Sequence, residues 1–161
     1  HPKALPTAVP VSAALAAARV GMDITIAAPE GCDLDPEDVA RIQSLAREAG
    51  GGQMTVVHDQ SAAIAGADAV YAKSWGPVSL YGQPEAQRAW FDRSRGWRLT
   101  AEHMRTTRGG KGIAMHCLPV RRNVEVDDAV LDGPQSVVVD EAENRLHVQR
   151  ALLLSMIGSV R

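Results

Sequence analysis

Apolar and polar positions follow two different periods along this chain. Short apolar runs rich in β-branched residues recur, and longer stretches with helical spacing separate them. An Ala-rich helix is expected over residues 7–20, with Pro6 and Pro10 at its start and Gly21 at its stop. A strand over 24–28 follows, bounded by Pro29 and Gly31. Asp35-Pro36-Glu37-Asp38 opens the next helix with an Asp cap, a first-turn proline and acids against the helix dipole. Gly50-Gly51-Gly52 ends that helix, near Ala49. Further strands are expected over 54–57, 69–72, 113–115 and 136–139. Helices are expected over 61–65, 85–92, a short stretch capped by Thr100, 127–131 and 141–157, with a turn-rich loop over 76–82.

Strands alternating with helices at this spacing predict an α/β fold, a three-layer α/β/α Rossmann-like parallel sheet. Right-handed crossovers would place the strand C-termini on one edge, with His58, Lys73, His116, Cys117 and the Asp140-Glu141 junction. The chain opens with a loop and a helix, whereas a doubly wound sheet begins with a strand. The sheet is therefore expected to lack its first strand within these residues.

Composition narrows the function classes. The 161 residues fit one domain with a single core. A formal net charge of −2 gives no reason to expect nucleic acid or a membrane surface as partner. No apolar run approaches the ~20 residues of a membrane helix, and no signal-peptide pattern opens the chain. The two cysteines, Cys32 and Cys117, sit in unrelated contexts, which fits a reducing cytoplasm. No His/Cys cluster has zinc spacing, and there is no Gly-x-Gly-x-x-Gly. Gly109-Gly110-Lys111-Gly112 precedes a strand and lacks Walker spacing.

The chemistry concentrates in His116-Cys117-Leu118-Pro119-Val120-Arg121-Arg122-Asn123, then Glu141-Ala142-Glu143-Asn144-Arg145. An apolar strand ends there in a thiol, a proline stop and an arginine pair. A buried parallel strand ending in such residues commonly delivers them to the ligand edge of an α/β sheet.

These motifs resemble the second, amino-acid-binding domain of the aspartate and ornithine carbamoyltransferase family. The N-acetylornithine branch is the nearer match, through His1-Pro2-Lys3, Tyr71-Ala72-Lys73-Ser74-Trp75, Arg121-Arg122-Asn123 and the run from Asp140 to Gln149. The resemblance spans nearly the whole chain. It implies that the family's carbamoyl-phosphate domain is absent here, since neither a Ser-Thr-Arg-Thr-Arg loop nor a His-Pro-x-Gln motif occurs. By the same likeness the missing strand is central and lies just ahead of His1. Losing it would leave two strands without a shared neighbour and their backbone groups unpaired.

The resemblance implies transfer of a carbamoyl group from carbamoyl phosphate to the side-chain amine of an N-acyl-ornithine, acetyl preferred over succinyl, in arginine biosynthesis. It implies a homotrimer with no metal and no organic cofactor, and no activity in this domain alone. Catalytic roles fall to Cys117, Leu118 and Arg145, and substrate binding to Lys73, Cys117, Leu118, Arg121 and His1. The Leu118 carbonyl would accept from the carbamoyl NH2 and the incoming amine, the Cys117 sulfur would pack on the reacting centre, and Arg145 would contact carbamoyl phosphate.

Each role has a plainer alternative. Cys117 also reads as a small buried hydrophobe. Arg145 also reads as an i,i+4 partner of Glu141, although an arginine in the first turns opposes the dipole. Lys73 also reads as a solvent-facing strand end. The ornithine branch places an Asp with a Ser-Met-Gly motif in this loop to hold a free α-ammonium. An acylated amine has no such charge, and a lysine suits the α-carboxylate. Of the arginine pair, Arg121 is assigned to the cleft and Arg122 to the surface. Glu125 stands where the acetylornithine branch usually has lysine, which changes the local charge. His116 is assigned to orienting the loop, while His58, His103 and His147 are assigned structural or surface roles. Succinylornithine, ornithine or another amine as acceptor, and a stand-alone binding module without activity, are the competing readings.

Overall fold

The computed structural model describes residues 7–158. The chain is mixed α/β with parallel strands, and it divides into two compact units.

The first unit runs to residue 65 and resumes over 73–98. It contains helix α1 (Ala8–Arg19), strand β1 (Ile24–Ala27), helix α2 (Pro36–Glu48), strand β2 (Met54–Val57), helix α3 (Gln60–Ile64) and helix α4 (Pro84–Arg93). Pro10 is tolerated in α1 because it falls in the first turn, where N–H groups lack intrahelical partners. Asp35 caps α2 as its side chain accepts from the Glu37 N–H at 2.9 Å. β1 and β2 pair in parallel, Ile24 opposite Met54.

Ala14 and Ala18 of α1 meet Ile42 and Ala46 of α2, with Leu34 and Met54, in one apolar cluster. The alanines let the two helix backbones approach closely. Ile42 is fully buried, and burial of such a side chain contributes ~1.5–3 kcal/mol. The expected 76–82 loop contains a single 3-10 turn, Val78–Leu80.

The second unit comprises residues 66–72 and 99 onward. It holds strand β3 (Ala69–Ala72), helix α5 (Ala101–Thr106), strand β4 (Ile113–His116), helix α6 (Asp128–Leu131) and helix α7 (Val138–Gly158). Thr100 caps α5 in a reciprocal box with His103. β3 and β4 pair in parallel, Ala69 opposite Ile113. Leu99, Met104, Ala114, Val126, Val130 and Val138 are buried here.

Among the described residues the four strands form two separate two-stranded sheets, β1–β2 and β3–β4. The first pair belongs to the first unit and the second pair to the second unit. The fifth strand expected over 136–139 does not form. Ser136 makes one parallel bridge to Ala114, and α7 begins at Val138. The β-branched run favours a strand locally. The helix that follows wins its last residues, aided by Asp140 and Glu141 in the first turn. Beyond Val139 nearly all of α7 is exposed, including Leu152, Leu153, Met156 and Ile157. No helix among the described residues is long and apolar enough to cross a membrane.

Candidate active site

The residues with chemical potential in the second unit gather at the C-terminal end of β4. His116, its last residue, is 1% exposed, and its Nδ1 accepts the Leu118 N–H at 3.0 Å. The loop therefore folds back over the strand end, as the role assigned to His116 requires. Leu118 has φ +49°, a left-handed conformation that Cβ-bearing residues adopt at a cost. The Leu118-Pro119 peptide is cis. Leu118 is 37% exposed.

Glu125 is the centre of this loop. It is buried, and its carboxylate accepts three hydrogen bonds: from Arg121 Nε–H at 2.6 Å, from the Arg121 backbone N–H at 3.2 Å and from His116 Nε2 at 3.2 Å. A buried charge is tolerated only when paired and hydrogen-bonded, and this one is both. Arg121 is thus held by a buried carboxylate while its side chain remains partly exposed.

Arg122 takes a different role. Its guanidinium spans Asp128 at 2.7 Å and Asp132 at 2.7 Å, on the surface. Hydrogen bonds from Arg122 hold both carboxyls below the usual carboxylate range, with Asn123 adding a second bond to Asp128. The surface assignment of Arg122 stands, and its partners give it a task in fastening the loop to α6.

A second carboxylate braces the strand end. Glu141, in the first turn of α7, accepts the His116 N–H at 3.0 Å and the Tyr71 O–H at 2.6 Å. Burial, then the hydrogen bond to Glu141, pushes the Tyr71 phenol above its usual range. Cys117 also contacts the Tyr71 side chain and is half-buried as a free thiol. Tyr71 and Glu141 lie in quoted motifs, but nothing in their spacing marks them as partners across 70 residues.

Arg145 is exposed on α7 and makes no ion pair among the described residues. The i,i+4 pairing with Glu141 is not formed, because that carboxylate is engaged by Tyr71 and His116. The dipole argument for Arg145 also needs correcting. With α7 starting at Val138, Arg145 sits about two turns in, where the dipole effect has faded.

In the first unit, Lys73 directly follows β3, is partly buried and makes no ion pair among the described residues. Its loop is anchored two residues on. Trp75 packs on Phe91 at 5.1 Å and on Trp90 at 5.4 Å, and its indole N–H donates to the Trp97 carbonyl at 3.1 Å. His58 pairs with Asp33 and the Ala28 carbonyl, a local tether. His1 lies outside the described residues.

The profile of the family described as "Aspartate/ornithine carbamoyltransferase, Asp/Orn binding domain" matches residues 7–156. The chain belongs to this family. N-acetylornithine carbamoyltransferase of Xanthomonas campestris pv. campestris is 41% identical over 161 residues, covering 100% of this chain and 47% of that relative. Ornithine carbamoyltransferase of Symbiobacterium thermophilum is 44% identical over 136 residues, covering 84% of this chain and 42% of that relative. A crystal structure of acetylornithine transcarbamylase complexed with acetylcitrulline superposes with a TM-score of 0.87 at 42% identity, covering 96% of this chain and 46% of that one. The chain spans about half the length of the curated relatives it matches. In this carbamoyltransferase domain, the His116–Pro119 motif is the loop that Glu125 and Glu141 hold from two sides.

Proposed function

We propose that this chain is the amino-acid-binding half of a carbamoyltransferase, with the carbamoyl-phosphate-binding domain lying outside these residues. The enzyme moves the carbamoyl group of carbamoyl phosphate to the side-chain amine of N-acetylornithine, giving N-acetylcitrulline and phosphate. The observation that carries the choice of acceptor is Lys73: a partly buried cation without an ion pair among the described residues, on a loop anchored by Trp75. Such a cation suits the α-carboxylate of an amino acid whose α-amine is acylated and uncharged. An N-acetylornithine carbamoyltransferase relative that covers the whole chain supports the same choice.

The remaining roles are those that the resemblance to the carbamoyltransferase family implies. Attack requires a neutral amine, and the developing oxyanion requires fixed donors. The Leu118 carbonyl accepts from the carbamoyl NH2 and the amine, and the Cys117 sulfur packs against the reacting carbon. Arg145 neutralises carbamoyl phosphate, Arg121 lines the amino-acid side, and His1 reaches the same substrate. Holding two substrates in register contributes much of the rate. The complete enzyme acts as a homotrimer in the cytoplasm, in arginine biosynthesis.

Free ornithine is the second reading, favoured by the ornithine carbamoyltransferase relative at 44% identity. Assay of the complete gene product against ornithine, N-acetylornithine and N-succinylornithine separates the two. The expected result is turnover of N-acetylornithine, with a raised KM for it in Lys73→Met. Preference for free ornithine, or an unchanged KM in Lys73→Met, refutes the assignment. The isolated 161-residue chain is expected to be inactive.

A further inference from the structure

The bonds around His116 fix where its proton sits. A backbone N–H can only donate, so the Leu118 N–H pointing at Nδ1 at 3.0 Å requires a lone pair there. The ring therefore carries its proton on Nε2, which faces the Glu125 carboxylate at 3.2 Å. A proton on Nδ1 would set two donors against each other. The ring is 1% exposed and Glu125 4% exposed, so water does not offer a substitute partner.

We propose that Glu125 is a positioning residue: by accepting from His116 Nε2–H it selects the tautomer that leaves Nδ1 open to the Leu118 N–H, and so holds the Leu118 carbonyl in place for the carbamoyl group. The clause about the carbamoyl group rests on the function proposed above; the tautomer does not. The same carboxylate holds Arg121 through Nε and the backbone N–H. One buried group thus fixes both the peptide oxygen that meets the reacting centre and the guanidinium beside it. The dependence is on geometry at Leu118, whose left-handed φ of +49° would relax without the bond to Nδ1.

Replacing Glu125 by Gln tests the coupling. An amide keeps the shape but presents one donor face. With its oxygen on Arg121, its NH2 points at His116 Nε2, and the ring can accept it only by moving its proton to Nδ1. That proton then opposes the Leu118 N–H. Replacing the outer group that orients a metal-bound histidine changes activity about 10–100-fold, and a loss of that order is expected where the oriented group is the Leu118 peptide.

The experiment is magic-angle-spinning NMR of the complete gene product labelled with 15N-histidine, alongside steady-state kinetics. His116 is assigned by loss of its signals in His116→Asn. The wild type is expected to show a protonated Nε2 and a bare Nδ1. Glu125→Gln is expected to invert or mix that pattern and to lower kcat by about 10–100-fold, with KM for carbamoyl phosphate unchanged. Glu125→Asp, which keeps the carboxylate, is expected to retain the wild-type tautomer and to recover part of kcat. Wild-type His116 with its proton on Nδ1, or on both nitrogens, overturns the proposal without any variant having to fold. A Glu125→Gln enzyme with wild-type tautomer and kcat also overturns it. A complete gene product that carbamoylates no amine overturns the functional reading, and the His116 tautomer still decides whether Glu125 selects it.

Discussion

Gly112→Ala should unfold the second unit's sheet more readily, by an amount the structure bounds. Gly112 immediately precedes β4, and its N–H donates to Thr107 Oγ1 at 3.0 Å while its carbonyl accepts from Gln135 at 2.6 Å. A Cβ built there would lie 2.6 Å from Thr107 Cβ and 2.8 Å from the Ala67 carbonyl oxygen. Ordinary contact begins near 3.4 Å, so the strand entry or α5 must move by several tenths of an ångström. Neither atom belongs to a flexible side-chain end. Overpacking of this kind costs about 1–3 kcal/mol. For a protein of this size that lowers Tm by about 2–12 °C. Gly96→Ala is the matched control: nothing lies within 4 Å of a Cβ there and its φ lies outside the left-handed region. Differential scanning calorimetry of both variants in the complete gene product reads the difference. A Gly112→Ala protein melting within a degree of Gly96→Ala would show that β4 does not enter the sheet as described. The consequence reaches the site, because the far end of β4 is His116.

Two other predictions concern protons. Burial pushes the Cys32 thiol up to about 11, against the bond from Gly76 that lowers it. Its thiolate fraction at pH 8 is then about 200-fold below that of an ordinary thiol, part of which the higher nucleophilicity of a more basic thiolate returns, so alkylation by iodoacetamide should slow by about 10–30-fold. Mass spectrometry of a Cys117→Ala variant measures this; labelling at the rate of a free cysteine would contradict the burial. At Arg122, the carboxyls of Asp128 and Asp132 titrate below the usual range because the guanidinium bonds both. A depressed carboxyl contributes stability above its unfolded value, near pH 3.9, and loses it as pH falls through the lower folded value. Carboxyl NMR titration should find both groups returned toward 3.9 in Arg122→Ala, and depressed values persisting there would assign the shift to another cause.

The elements were legible where local chemistry and tertiary context agree. The Asp35-Pro36 start of α2 needs no partner beyond its own backbone, and it forms where the spacing predicts. β4 is readable because its apolar run ends abruptly in a thiol and a proline. The run over 136–139 misleads because three valines favour a strand, while the choice between strand and helix depends on what lies beside them. Arg145 misleads for the same reason, since its distance from the helix start depends on that boundary. The likeness to carbamoyltransferases drew attention to the loop and to Arg121, but no pattern of types announces that Glu125 is buried under it. Burial of a carboxylate and the left-handed turn at Leu118 are set by the packed neighbours. They become visible only with coordinates.

The aromatic clasp on the Lys73 loop has an optical consequence. All three indoles of the chain, Trp75, Trp90 and Trp97, belong to the first unit, and two of them share one ring cluster. The second unit contains no indole at all. Emission excited at the red edge of absorption therefore reports first on the loop that carries Lys73 and on α4. A denaturation curve recorded that way needs a second probe, placed near His116, before it can stand for both units.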